Sequence, residues 1–114
     1  LTGHTPRLFR PPYGEYDQRV VRIAGDLGLV TVEYDLPSGD PDAHATKERL
    51  VQWVLSQARP GSIVVMHINH LKFHTADALP DIISGLRARG FSLVTVGQLI
   101  SGLNQGAFAV GQTP

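Results

Sequence analysis

Three polar side chains in this sequence are placed where they could act together. Arg10 follows the apolar pair Leu8-Phe9, Asp40 lies in the loop Asp35–Asp42, and His67 comes directly after the β-branched run Ser62–Met66. If these apolar stretches are strands of a parallel sheet, the three residues share the rim at the strands' carboxyl ends, where α/β folds bind ligands. A carboxylate bonded to an imidazole orients the ring and raises its pKa, which suits a general acid that protonates a leaving amine or alcohol. An arginine beside such a pair can hold a second carboxylate in bidentate fashion. Spacing alone favours a plainer reading, with Arg10 and Asp40 as turn residues and His67 as a hydrogen-bonded strand end.

The elements that must position these groups alternate along the chain. Leu8-Phe9 reads as the end of a strand, stopped by the rigid turn Arg10-Pro11-Pro12-Tyr13-Gly14. Asp17 is a good N-cap, and Val20, Ile23, Ala24 and Leu27 follow at helical spacing, so a helix is predicted up to Gly28 as its C′ residue. A second strand is predicted over Leu29–Tyr34, and Asp35–Asp42 reads as turn throughout. A helix over Ala45–Ala58 carries Leu50, Val51, Val54, Leu55 and Ala58 on one face, with Trp53 flanking it. Pro60-Gly61 stops it, and Ser62–Met66 reads as a strand buried on both faces. After a polar loop, a third helix starts between Thr75 and Leu79, tolerates Pro80 in its first turns, and presents Leu79, Ile82, Ile83 and Leu86 before Gly90 ends it. Gly85 inside it costs about 1 kcal/mol relative to alanine, so this helix depends on packing. A fourth strand over Phe91–Thr95 and a short helix over Val96–Ser101 precede a Gly- and Gln-rich tail, residues 102–114, expected to be loosely ordered.

Strand then helix, four times over, predicts an α/β fold with parallel strands and right-handed crossovers. Four such units make half of an eight-unit barrel, and half a barrel leaves open edges that are a liability in water. The sequence also opens in what reads as mid-loop, without an initiator Met. Both points lead us to expect a fragment whose remainder lies upstream or on another chain.

Composition narrows the function. Ten basic residues balance ten acidic ones among 114, so no charge excess points to nucleic acid or an anionic membrane. The absence of cysteine excludes disulfides and thiolate metal sites, and no apolar run reaches membrane-spanning length. His67, His70 and His74 are close enough to suggest a three-imidazole zinc site, although their loop lacks the i, i+4 helical geometry that would converge the rings. His4 and His44 stand in turn-like segments. Trp53 and Tyr16 could line a sugar site, with helix packing and helix entry as their plainer roles.

The motifs Arg10-Pro11-Pro12-Tyr13-Gly14, Ser38-Gly39-Asp40 and Val64-Val65-Met66-His67 occur in the order and separation of the third, fourth and fifth motifs of the polysaccharide deacetylase family, the NodB-type carbohydrate esterases, which this chain resembles. His74–Pro80, Gly85–Phe91 and Val94–Leu99 also resemble bacterial members, so the likeness runs from about residue 5 to 101. It implies that residues 1–101 are the C-terminal part of a metal-dependent hydrolase domain, the second half of a distorted (β/α) barrel, which removes N-acetyl, and in some members O-acetyl, groups from sugar polymers. In that family a divalent ion, usually zinc, activates a water that an aspartate deprotonates, and a histidine protonates the leaving sugar nitrogen. Carried over, His67 is the acid and Asp40 its orienting carboxylate. Arg10 positions the base, the Tyr13 N–H helps bind the oxyanion, and Pro12, Val65 and Met66 face the substrate. Pro37 and Pro41 depart from the family, which has an aspartate and a tryptophan there, so the groove is expected to lack an aromatic wall. The motifs bearing the base and the metal ligands are absent, so this chain alone is expected to be inactive and to hold no metal. An N-terminal partner segment is the implied complement, and the family's polymeric substrates imply the cell envelope or secretion. The alternative is a non-catalytic carbohydrate-binding or interaction module derived from this fold.

Overall fold

A computed structural model describes residues 2–104, which divide between Glu33 and Tyr34 into two compact units. In the first, strand β1 (Leu8–Phe9) pairs in parallel with β2 (Val30–Thr31), Leu8 opposite Val30. Helix α1 (Gln18–Asp26) connects them. Asp17 caps it as its composition predicts, Oδ1 accepting from the Val20 N–H at 2.8 Å. Gly28 follows with φ 77°, a conformation that costs glycine nothing. Within this unit α1 buries Ala24, while Ile23 and Leu27 on the same predicted face stay exposed.

The second unit holds β3 (Leu36–Pro37), α2 (Lys47–Gln57), β4 (Val64–Val65), α3 (Thr75–Ala88) and α4 (Val96–Asn104). Its core is Leu36, Leu50, Val54, Ala58, Ala78, Ile82 and Leu86, with Val64, Met66 and Phe91 packed against it. Helices α2 and α3 therefore lie face to face. The surface pair Lys47–Asp81, at 2.9 Å, spans them at little energetic value.

Several expectations are corrected here. The second strand is confined to Val30–Thr31, and Leu36–Pro37, expected to be turn, is a strand pairing with β4 in parallel. Proline is tolerated there because the ladder uses its neighbours: Leu36 donates to the Ile63 carbonyl at 3.3 Å and Ser38 to that of Val65 at 3.2 Å. Pro37 therefore turns its ring nitrogen and carbonyl toward the other edge, where the Trp53 indole N–H donates to the carbonyl at 3.0 Å. Asp35 latches the start of the ladder, accepting from the Ile63 N–H at 2.6 Å and the Ser62 hydroxyl at 3.0 Å. Ser62–Met66 is half-buried, not buried on both faces, because β4 has a single paired neighbour, β3, among the described residues.

Phe91–Thr95 forms no strand, since its backbone pairs with none among the described residues. Helix α2 starts two residues later than expected, at a Thr46 N-cap that accepts from the Arg49 N–H at 3.2 Å. In α3 the buried position one turn before Ile82 is Ala78, and Leu79 is exposed. Helix α4 continues past Ser101 through Asn104, and the remainder of the predicted tail lies outside the described residues. Among the described residues no helix is long and apolar enough to cross a membrane.

Gly85 explains how α3 approaches α2. A Cβ added there would lie 2.7 and 2.8 Å from the two δ carbons of Leu55. Alanine in a helix is ordinarily worth about 1 kcal/mol over glycine. Here the added Cβ meets the movable end of the Leu55 side chain, and the cost of overpacking, up to about 1–3 kcal/mol, is set by how firmly the neighbours hold Leu55. Gly85→Ala is expected to lower the urea midpoint of unfolding, and to cost less in a Leu55→Ala background than in the parent; a midpoint raised by Gly85→Ala would show that Leu55 moves aside without cost.

Candidate active site

Asp40 enters the site from a turn that Gly39 makes possible. Gly39 has φ 81°, which an L side chain rarely adopts, and its carbonyl accepts from the Asp42 N–H at 3.1 Å. The Ser38 hydroxyl accepts from the Asp40 N–H at 3.3 Å. With β3 and β4 in parallel register, the chain past Pro37 and the chain past Val65 emerge on the same side, and Asp40 meets His67 there.

Asp40 is 2% exposed, and its carboxylate is surrounded by donors. Oδ2 accepts from the His67 backbone N–H at 2.7 Å and from the Thr75 hydroxyl at 2.6 Å. Oδ1 lies 2.9 Å from the His67 ring Nδ1. An ionised carboxylate only accepts, so Nδ1 carries a proton and Nε2 is left to act elsewhere. Burial pushes the Asp40 carboxyl up, but the hydrogen bonds from Thr75, from the His67 N–H and ring, and from Ser38 outweigh it and hold the group below its ordinary value. The His67 side chain is 46% exposed, so the ring is pinned at one nitrogen while much of it remains open to solvent. Phe73 meets it edge-on, with ring centres 5.9 Å apart.

The structure thus brings Asp40 and His67 together. Arg10, Pro12 and Tyr13 belong to the first unit, where Pro11 is buried and Tyr13 is 94% exposed. Tyr13 adopts φ 59°, uncommon for a residue with a side chain, inside two overlapping turns in which the Gly14 and Glu15 N–H groups donate to the Pro11 and Pro12 carbonyls. Backbone held in this region costs of order 1 kcal/mol and is concentrated at functional sites. Met66 packs on the core beside Val64, whereas strand alternation turns Val65 to the opposite face.

The three-histidine alternative is corrected. His70 stacks on Phe73 with ring centres 4.0 Å apart, and His74 lies 3.7 Å from Asp77 instead. Among the described residues no group of three or more His, Cys, Asp or Glu could hold a metal ion. These residues do not fit the divalent ion that the resemblance implies. Thr75 and Phe73 also belong to this site, and the sequence marks neither: Thr75 reads as a helix start, and its 35-residue separation from Asp40 leaves no local signal.

A family model for polysaccharide deacetylase matches residues 1–32. A chitooligosaccharide deacetylase of Azorhizobium caulinodans is 30% identical over 99 residues, covering 76% of this chain and 47% of that protein. The structure is similar to the peptidoglycan deacetylase PdaC from Bacillus subtilis, with a TM-score of 0.78, 29% identity and coverage of 93% of this chain and 50% of that one. It is also similar to a family 4 carbohydrate esterase pseudoenzyme from Bacillus anthracis, with a TM-score of 0.78, 30% identity and coverage of 86% and 34%. The α/β architecture of parallel strands and helices is thus that of the carbohydrate esterases of family 4. The chain belongs to the polysaccharide deacetylase family, of the NodB type, and spans half or less of the length of these relatives.

Proposed function

We propose that this chain is the C-terminal half of a polysaccharide deacetylase domain, the second half of a distorted (β/α) barrel, and that it supplies the general acid for hydrolysis of acetyl groups from a sugar polymer. The observation that carries the reading is an imidazole held through Nδ1 by a buried carboxylate, with the rest of the ring accessible. His67, protonated on both nitrogens, donates its Nε2 proton to the sugar nitrogen, or to the oxygen of an ester, as the bond to the acetyl carbon breaks. Asp40 keeps the Nδ1 proton in place and balances the ring's charge.

Arg10 positions a base aspartate outside this chain, and the Tyr13 N–H, offered by its left-handed turn, supports the oxyanion. By the family resemblance Pro12, Val65 and Met66 are the substrate-facing residues; of these Val65 faces away from the core. The divalent ion, zinc by family resemblance, takes its ligands from outside this chain, and the steps assigned here are those of this chain's own residues. Acetylated glucosamine polymers are the first substrates to try, since the relatives are named for chitooligosaccharide and peptidoglycan. The test is acetate release from chitooligosaccharide and peptidoglycan by the protein that carries this chain at its full length. Release that requires His67 supports the reading.

Likeness to a pseudoenzyme favours a second reading, a module that holds a sugar polymer without turning it over. Saturable polymer binding with no acetate released would establish that reading and overturn the first.

A further inference from the structure

Thr75 begins α3 yet does not cap it. The preceding residue, His74, makes no side-chain cap bond, and the Thr75 hydroxyl is spent on Asp40. A carboxylate oxygen cannot donate, so Thr75 Oγ1 is the donor, at 2.6 Å, from a side chain only 7% exposed. The hydroxyl is held firmly. Thr75 is β-branched, which limits χ1, and one turn further along the same helix Ala78 and Ile82 are fixed in the core.

This bond decides the orientation of the carboxylate. Oδ2 receives two donors of separate origin, the His67 N–H from the end of β4 and Thr75 from α3. Oδ1 is thereby left facing the ring Nδ1. Without the hydroxyl, Oδ2 keeps one bond, from the residue whose ring it is meant to orient, and the carboxylate gains freedom to turn about its Cβ–Cγ bond. The other ionisable groups of the segment do not replace it: His70 is stacked on Phe73, and His74 and Asp77 face each other on the exposed side.

We infer that Thr75 is a positioning residue: its buried hydroxyl locks the Asp40 carboxylate, and through it selects the His67 tautomer and ring orientation. This rests on the proposed role of His67 as acid. Its reach into turnover depends on that role, whereas its effect on the ring does not.

The test uses the full-length protein with Thr75→Val, which keeps the shape and removes the hydroxyl, and Thr75→Ser, which keeps the hydroxyl. Nitrogen-15 spectra of the His67 ring, recorded at alkaline pH where the ring is neutral and has a tautomer to select, are expected to show the Nδ1–H tautomer in the parent and the serine variant, and a mixture in the valine variant. On an active protein, valine is expected to lower kcat about 10- to 100-fold, the range of a lost hydrogen bond to a charged group, with KM little changed, and serine to recover most of it. A parent tautomer in the valine variant, or a serine variant that behaves as valine does, overturns the proposal. If valine prevents folding, Thr75→Ala set against Thr75→Ser carries the same comparison. If no acetate is released by any form, the deacetylase reading fails, and the ring spectra still decide the role of Thr75.

Discussion

Substituting His67 by glutamine is expected to lower the turnover of acetyl hydrolysis by about 10²–10⁴-fold, the range a positioned general acid supplies. Glutamine can still accept and donate hydrogen bonds but cannot deliver a proton to a leaving nitrogen. The change should fall on kcat, because the ring is half-exposed and its loss disturbs little of the core. Steady-state acetate release on an N-acetylated oligosaccharide measures it. An ester substrate with a good leaving group, which needs no protonation, is expected to lose much less. Equal loss on both substrates would place His67 in binding or folding and remove it from proton transfer.

Asp40→Asn is expected to be costly twice over. Four donors serve this buried carboxylate: the His67 N–H, the Thr75 hydroxyl, the His67 ring and the Ser38 hydroxyl. An amide has one oxygen, so its NH2 must face at least one of them. Its oxygen can keep the His67 N–H and Thr75 bonds, but without the carboxylate's charge each is weaker by about 1 kcal/mol, and that loss is expected in the free energy of unfolding. The amide NH2 also favours the opposite ring tautomer, and the corresponding change in a carboxylate–imidazole pair elsewhere costs on the order of 10⁴ in turnover. Chemical unfolding and kinetics on one preparation separate the two effects. Wild-type turnover in the asparagine variant would refute the orienting role.

The same carboxylate sets an acid dependence. Its value in the folded protein lies below the ordinary one, so the folded state binds its proton less readily than the unfolded chain does. The resulting stabilisation is complete above the ordinary carboxylate range near pH 4 and is lost as pH falls through the lowered folded value. Wild type and Asp40→Asn are therefore expected to converge in stability in strong acid and to separate as pH rises.

What the sequence discloses follows from how local each cause is. Helix α1 was readable because Asp17 and Gly28 mark its ends and its apolar residues recur at helical spacing. Asp40 and His67 were readable as candidates because each follows a turn or an apolar run, and the resemblance then singled them out. Strand pairing was less legible, since β3 depends on register with β4 across 28 residues and contains a proline that local rules assign to turn. Phe91–Thr95 has strand composition without a described partner, and composition says nothing about partners. The close approach of α3 to α2 at Gly85 is a property of two helices together, and no local pattern carries it.

The environment of Pro37 has a consequence for assembly. On the edge of β3 away from β4, an incoming strand would find no N–H at Pro37 and a carbonyl already engaged by Trp53. Both halves of a ladder bond are denied there, so the edge resists addition of a foreign strand, the event that begins edge-to-edge aggregation.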